Sequence, residues 1–128
     1  INEKNGLYET FHSNGKLKSS ENWKNGKQFG ITKLLNNNGL VFLENNFDEN
    51  GIQSSKSYYD DGQVMSESHY KNEEVYDNKN WYSNGQLKLD LKGENGEVIS
   101  LRRWDKKGKE IDCKEKGKNI NNVLDKYL

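Results

Sequence analysis

A turn signal built on Asn-Gly or a look-alike comes back every eleven to thirteen residues along this chain, and nothing else in the sequence restricts its fold as tightly. The anchors are Ser13-Asn14-Gly15, Lys24-Asn25-Gly26, Asn37-Asn38-Gly39, Glu49-Asn50-Gly51, Asp60-Asp61-Gly62, Ser83-Asn84-Gly85, Glu94-Asn95-Gly96 and Lys106-Lys107-Gly108, with Lys71-Asn72-Glu73 where one more is due. Alternate anchors, from Gly15 through Gly39, Gly62 and Gly85 to Gly108, are separated by 24, 23, 23 and 23 residues. A fixed period of this size marks a repeat architecture whose unit holds two turns and two strands. Each unit is therefore a β-hairpin plus its link to the next.

The hydrophobic residues keep the same phase. A large apolar side chain stands four residues before the first glycine of each unit, at Phe11, Leu35, Tyr58, Trp81 and Trp104. Two residues after that glycine come Leu17, Val41, Val64 and Leu87, and in the last unit the apolar residue slips by one to Ile111. If the three residues ending in Gly are the loop, with Gly in the left-handed conformation, the minus-four and plus-two residues face each other across a hairpin. The second turn of each unit is looser, with Trp23 and Tyr70 at minus three and Phe47 at minus four. Its register stays open.

Only 30% of the chain is hydrophobic and its mean hydropathy is −1.19, values close to those of disordered segments. The aromatics, 11% of the chain, sit at repeat-fixed places. Too little apolar material remains for a two-sided core, so a single-layer sheet is expected. The absence of proline leaves every backbone donor free for ladders.

A formal net charge of zero argues against a nucleic-acid-binding domain, which needs a basic excess. Along the chain, however, the charges are sorted. Glu44, Asp48, Glu49, Asp60, Asp61, Glu67, Glu73, Glu74 and Asp77 make the middle acidic, and Arg102, Arg103, Lys106, Lys107, Lys109, Lys114, Lys116 and Lys118 make the last quarter basic. Such blocks are commonly solvated faces. Read functionally, they predict a basic protein partner steered by Asp60, Asp61, Glu73, Glu74 and Asp77, with Tyr59 and Tyr82 as buried contacts. Strand alternation sends both tyrosines to the face opposite the minus-four row, where they either pack across strands or line a binding surface.

One cysteine, Cys113, excludes an internal disulfide. No run approaches the ~20 apolar residues of a membrane span, and no signal peptide is visible. The chain opens inside a unit at Ile1, since Gly6 precedes Gly15 by nine residues as Gly30 precedes Gly39. That predicts further repeats or an export signal upstream, and tilts the expected location toward envelope or secretion. At the other end, Ile120, Val123, Leu124, Tyr127 and Leu128 fall at helical spacing after Gly117. The expected organisation is a repeat domain over residues 1–118 and a short helix over 119–128 capping the sheet.

Tyr58-Tyr59-Asp60-Asp61-Gly62-Gln63-Val64, Trp81-Tyr82-Ser83-Asn84-Gly85-Gln86-Leu87-Lys88 and Trp23-Lys24-Asn25-Gly26-Lys27-Gln28-Phe29-Gly30 resemble the bacterial variant of the MORN repeat. The resemblance runs from about Gly6 to Ile111. Its Lys-x-x-Gly element survives only at Lys27 to Gly30, and Glu73 stands where the pattern has glycine. It implies an all-β fold of tandem antiparallel hairpins forming an elongated, twisted single-layer sheet with an aromatic-lined groove. It also implies roles such as antitoxin component, protein scaffold or lipid-associated module.

The residues themselves do not suggest an enzyme. The two histidines, His12 and His69, lie beside turns, and no His-Glu-x-x-His, Gly-x-Ser-x-Gly or phosphate-cradling pattern is present. The acidic turns lack the spaced oxygen ligands of a calcium loop, so no metal or cofactor is expected. Cys113, beside Lys114, is a reactive thiol only if exposed. The expected function is protein binding through a sheet face, antitoxin- or immunity-like. The alternative is a cell-envelope, glycan or lipid-binding module, against which stands the lack of a second Gly-Trp element after each turn.

Overall fold

The structure is a computed structural model and describes residues 3–128; Ile1, on which the expectation of an upstream segment rests, lies outside them. The elements run β1 (Gly6–Phe11), β2 (Leu17–Lys24), β3 (Lys27–Gln28), β4 (Gly30–Leu35), β5 (Val41–Asp48), β6 (Gly51–Tyr58), β7 (Val64–Lys71), β8 (Glu74–Trp81), β9 (Leu87–Glu94), β10 (Glu97–Trp104), β11 (Glu110–Ile111) and α1 (Ile120–Tyr127). Among the described residues the strands form one open antiparallel sheet of 11 strands in sequence order, except that the short β3 pairs with β2 off the main path. Each strand pairs with its chain neighbours because hairpin closure carries the least entropy cost. The expected all-β hairpin array with a terminal helix is what the chain adopts.

The two turns of each unit differ chemically and lie on opposite rims. On the first rim, three residues ending in Gly close each loop: the amide of His12 donates to Lys16 O and that of Gly15 to His12 O, a pattern repeated from Asn36, Tyr59, Tyr82 and Asp105. The predicted pairs follow, Phe11 with Leu17, Leu35 with Val41, Tyr58 with Val64 and Trp81 with Leu87. The last unit is a correction. Trp104 pairs with Glu110 and Ile111 with Arg103, so turn geometry keeps the phase and the apolar residue, not the register, has moved.

On the second rim the loops have two residues. Asn25-Gly26, Asn72-Glu73 and Asn95-Gly96 have positive φ at both positions, the mirror-image turn that matches strand twist. Glu73, read from sequence as an irregularity, holds the glycine conformation with φ at 66°. The hairpin β5–β6 instead turns at Glu49-Asn50 and places Gly51, with φ at 103°, on the strand side of the loop. That explains why Phe47 counts differently from its equivalents. Measured by pairing, Trp23–Gln28, Phe47–Ile52, Tyr70–Val75 and Gly93–Val98 are one repeated position.

In that series the fourth unit has glycine where three have an aromatic. A Cβ on Gly93 would collide with Ile120 Cδ1, so α1 fills the space that the aromatic occupies elsewhere. Ile120 and Val123 are buried with Leu89, Leu91 and Val98 in the small apolar core, flanked by Val75, Leu101, Leu124 and Tyr127. Gly117 N donates to Val98 O and Val98 N to Lys118 O, while β11 pairs the other end of β10. The C-terminal edge is thereby capped, as edge strands require.

The link before α1 carries a buried carboxylate. The Glu115 side chain, 4% exposed, accepts from Lys126 at 2.8 Å and Tyr127 at 2.7 Å and meets Lys118 at 3.0 Å. These contacts hold its carboxyl down from an ordinary 4.5 to about 2. A depressed carboxyl contributes stability that is complete above ~pH 5 and is lost as pH falls toward the folded value. Melting between pH 5 and pH 2 should show helix detachment, and Glu115→Gln should lower stability at pH 7 while flattening that acid limb.

A second expectation follows from Glu73. Relieving the left-handed strain with Glu73→Gly should raise stability by about 0.5–1 kcal/mol. Glu73→Val and Gly85→Val should both lower the melting temperature, since Gly85 holds φ at 88°.

Candidate functional site

Paired residues share a sheet face and alternate residues in a strand point to opposite faces, so the register sorts the surface. On the face that carries α1, one cross-strand row reads Thr10, Ser19, Leu34, Leu43, Ser57, Ser66, Asn80, Leu89 and Arg103. The adjacent row reads Thr32, Asn45, Ser55, Ser68, Asn78, Leu91 and Leu101. Short hydroxyl and amide side chains thus pave the middle of this face. Several bond one another, Asn78 Nδ2 donating to Ser68 Oγ at 2.7 Å and Asn80 Nδ2 to Asn78 Oδ1.

Where this floor meets α1 there is a groove of about 480 Å³. Ser66, Ser68 and Asn78 form its base, and Tyr70, Val75, Leu124 and Leu128 supply apolar wall. Glu73, Glu74 and Asp125 line it too, and among the described residues no Lys or Arg does. Leu128 is 58% exposed. The combination is an acidic, partly apolar trench on an otherwise short-sided face.

The opposite, free face has a different order. Lys33, Glu44, Lys56, Glu67, Lys79, Asp90 and Arg102 are consecutive cross-strand partners, so the charges alternate strand by strand across the sheet. Lys33 lies 3.8 Å from Glu44 and Lys79 3.8 Å from Asp90. Leu35, Tyr58, Trp81 and Trp104 stand two residues further along the same strands and share this face. Tyr58 Oη reaches Glu44 at 3.3 Å, and the Arg102 guanidinium lies 4.9 Å from the Trp104 ring centre. Burial and the Glu44 charge push the Tyr58 phenol up. Sequence reading by charge blocks missed this ladder. Its signal was present in the period, with cations at 33, 56, 79 and 102 and anions at 44, 67 and 90, each 23 residues apart.

The residues expected to bind a partner do not form one patch. Asp60 and Asp61 lie exposed on the first rim, whereas Glu73 and Glu74 lie on the second, a strand length or roughly 25 Å away. Asp77 is half-buried between Lys92 at 2.7 Å and Lys79 at 3.4 Å. Burial raises its carboxyl, but the Lys92 hydrogen bond and the Lys79 charge outweigh that and hold it below the ordinary range. Tyr59 and Tyr82 are half-buried and clamp neighbouring units, donating to Trp81 O at 2.6 Å and Trp104 O at 2.8 Å. His12 Nε2 makes the equivalent contact to Leu35 O at 2.9 Å. His69 lies 3.1 Å from Glu67. Cys113 is half-buried beside Leu101 O, and burial pushes its thiol up, away from reactivity. Among the described residues no three His, Cys, Asp or Glu side chains gather to hold a metal, and no helix is long and apolar enough to cross a membrane.

Residues 4–25 and 54–72, 22 and 19 of the 128, match the family described as MORN repeat variant. The first stretch covers the hairpin β1–β2 and the second most of β6–β7, both closed on the first rim, and the unmatched hairpins β4–β5 and β8–β9 keep the same pairing. No curated protein matches the chain in sequence. Among solved structures, it is similar to a GtfA/B complex bound to UDP and GlcNAc, with 12% identity over 97% of this chain and 26% of that one, TM-score 0.49. It is similar also to a mutant of S. aureus TarM in complex with fondaparinux, α-GlcNAc-glycerol and UDP, with 14% identity over 72% and 19%, TM-score 0.47. A third is the complex of accessory secretory proteins 1, 2 and 3 in Streptococcus pneumoniae, with 14% identity over 99% and 24%, TM-score 0.45. The chain spans about a quarter or less of each of those chains.

The tyrosine clamps carry their own expectation. Tyr82→Phe leaves the Trp104 carbonyl without its donor and should cost about 1 kcal/mol. Tyr59→Phe should cost a similar amount. Both are read as a fall in melting temperature of the isolated chain, a readout that a purely partner-contacting tyrosine leaves unmoved.

Proposed function

We propose that this chain is a non-enzymatic repeat module that binds a protein partner, antitoxin- or immunity-like in character, by seating a basic and partly apolar segment in the groove beside α1. The observation that carries this reading is the lining of that groove: Glu73, Glu74 and Asp125 without a cation, over Tyr70, Val75, Leu124 and Leu128. Like-signed carboxylates around a cleft concentrate field lines and attract a partner of opposite charge. The apolar wall then supplies contact that slows release. The earlier acidic set is thereby narrowed. Glu73 and Glu74 keep the steering role, Asp77 is neutralised by its lysines, and Asp60 and Asp61 act only from the far rim. Tyr59 and Tyr82 hold the units on which the groove is built.

The test begins with capture of partners from the source cell on the immobilised chain, in parallel with sedimentation on isolated cell wall. With the captured partner, Glu73→Lys with Glu74→Lys should slow association and flatten its dependence on salt. Leu124→Ala should mainly speed dissociation, and Asp60→Lys with Asp61→Lys should change neither strongly. Binding indifferent to the groove variants, or sedimentation with wall and no captured protein, would overturn this reading, the second outcome in favour of an envelope-binding module.

A further inference from the structure

The free face is self-complementary, and we infer that it is the surface through which two copies of this chain pair. This goes beyond the partner groove, which lies on the opposite side of the sheet. The seven-charge row runs Lys33, Glu44, Lys56, Glu67, Lys79, Asp90, Arg102, one residue per strand from β4 to β10. Place a two-fold axis in the plane of the face, parallel to the strands and between β6 and β7. The operation reverses the order of strands and leaves each rim over its own counterpart. Lys56 then meets the second copy's Glu67, Glu44 meets its Lys79, and Lys33 meets its Asp90. Strict alternation guarantees this outcome for any axis placed between neighbouring strands, whereas an axis along the row sets like charges on each other.

The apolar row matches under the same operation. Tyr58 falls on Val64, Leu35 on Leu87 and Val41 on Trp81, so two of these three contacts set an aromatic against a branched aliphatic. At the centre of the row a cation lacks an ion pair within one copy. Among the described residues Lys56 has no carboxylate within the 4.0 Å of an ion pair, although Glu44 and Glu67 flank it. A depression of about 180 Å³ lies there, lined by Ile31, Glu44, Asn46, Ser54, Lys56 and Glu67. It gives a side chain from the second copy room to enter.

Size is adequate. The six strands whose charges pair, at ~4.8 Å spacing and with about six residues of each at ~3.3 Å, alone give roughly 600 Å² of face per copy. With side-chain relief added, this approaches the ~800 Å² per partner of a standard stable interface. Strands aligned by the axis correspond to the common aligned packing of two sheets. The interface is isologous, as closed dimers are.

Sedimentation velocity and light scattering on the full chain give the test. The unmodified chain should be a dimer at ~100 µM, weakening as salt rises. Lys56→Glu sets four carboxylates around the axis and should raise the dissociation constant on the order of 100-fold, and Glu67→Lys should do the same with four cations. Circular dichroism confirms that each variant is folded. Mixed in equal amounts, the two variants should recover a dimer, because each supplies the charge the other lacks. A monomeric unmodified chain, a dimer indifferent to both reversals, or a mixture that stays monomeric each overturns the proposal. Partner capture through the groove is read separately, so failure here leaves that reading standing.

Discussion

The reach of each unit to the main chain of the next governs this fold. His12, Tyr59 and Tyr82 extend to the carbonyls of Leu35, Trp81 and Trp104. Beside them, Asn14 Nδ2 donates to Asn37 O and Asn84 Nδ2 to Lys106 O, both at 2.9 Å. These bonds tie loops that would otherwise be independent into a stacked rim. They matter because the apolar core among the described residues is five buried residues at one end, too small to organise strands lying far from it. Elsewhere order comes from nearest neighbours, as in repeat arrays generally.

Division of labour between the faces follows from that economy. A sheet without a second layer leaves both faces wet, so each must be satisfied laterally. The helix-bearing face does so with short hydroxyls and amides, and the free face with alternating charges beside an aromatic row. Only where Gly93 vacates the aromatic position does the sheet accept a cover. The groove arises at that boundary, between covered and uncovered floor; Glu73 and Glu74 reach it from the two-residue turn at Asn72-Glu73 and the first residue after it, and Asp125 from α1.

Much of this was legible in the sequence because turn chemistry is local. The minus-four and plus-two pairing could be read off the glycine anchors, and four hairpins follow it. The helix over Ile120 to Tyr127 followed from spacing. What escaped had physical reasons. Glu73 disguised a left-handed position because its side chain argues against one. Ile111 misled because apolar identity was followed in place of phase. Asp60 and Glu73 looked like neighbours along the chain, but a strand separates them and sends them to opposite rims. The charge ladder was hidden by counting charges in blocks, since a block average erases a two-strand alternation. Gly93 gave no signal until the aromatics at Trp23, Phe47 and Tyr70 were aligned by pairing.

The 23-residue step of the ladder limits how such a chain can grow. Gain or loss of a whole unit adds or removes two strands, so the sign alternation, the rim assignment of every turn and the face of every aromatic are all preserved. Gain or loss of a single strand inverts the ladder downstream and exchanges the rims, setting like charges side by side at the junction. Length in this architecture is therefore counted in pairs of strands, and a duplication that respects the pair is electrostatically silent.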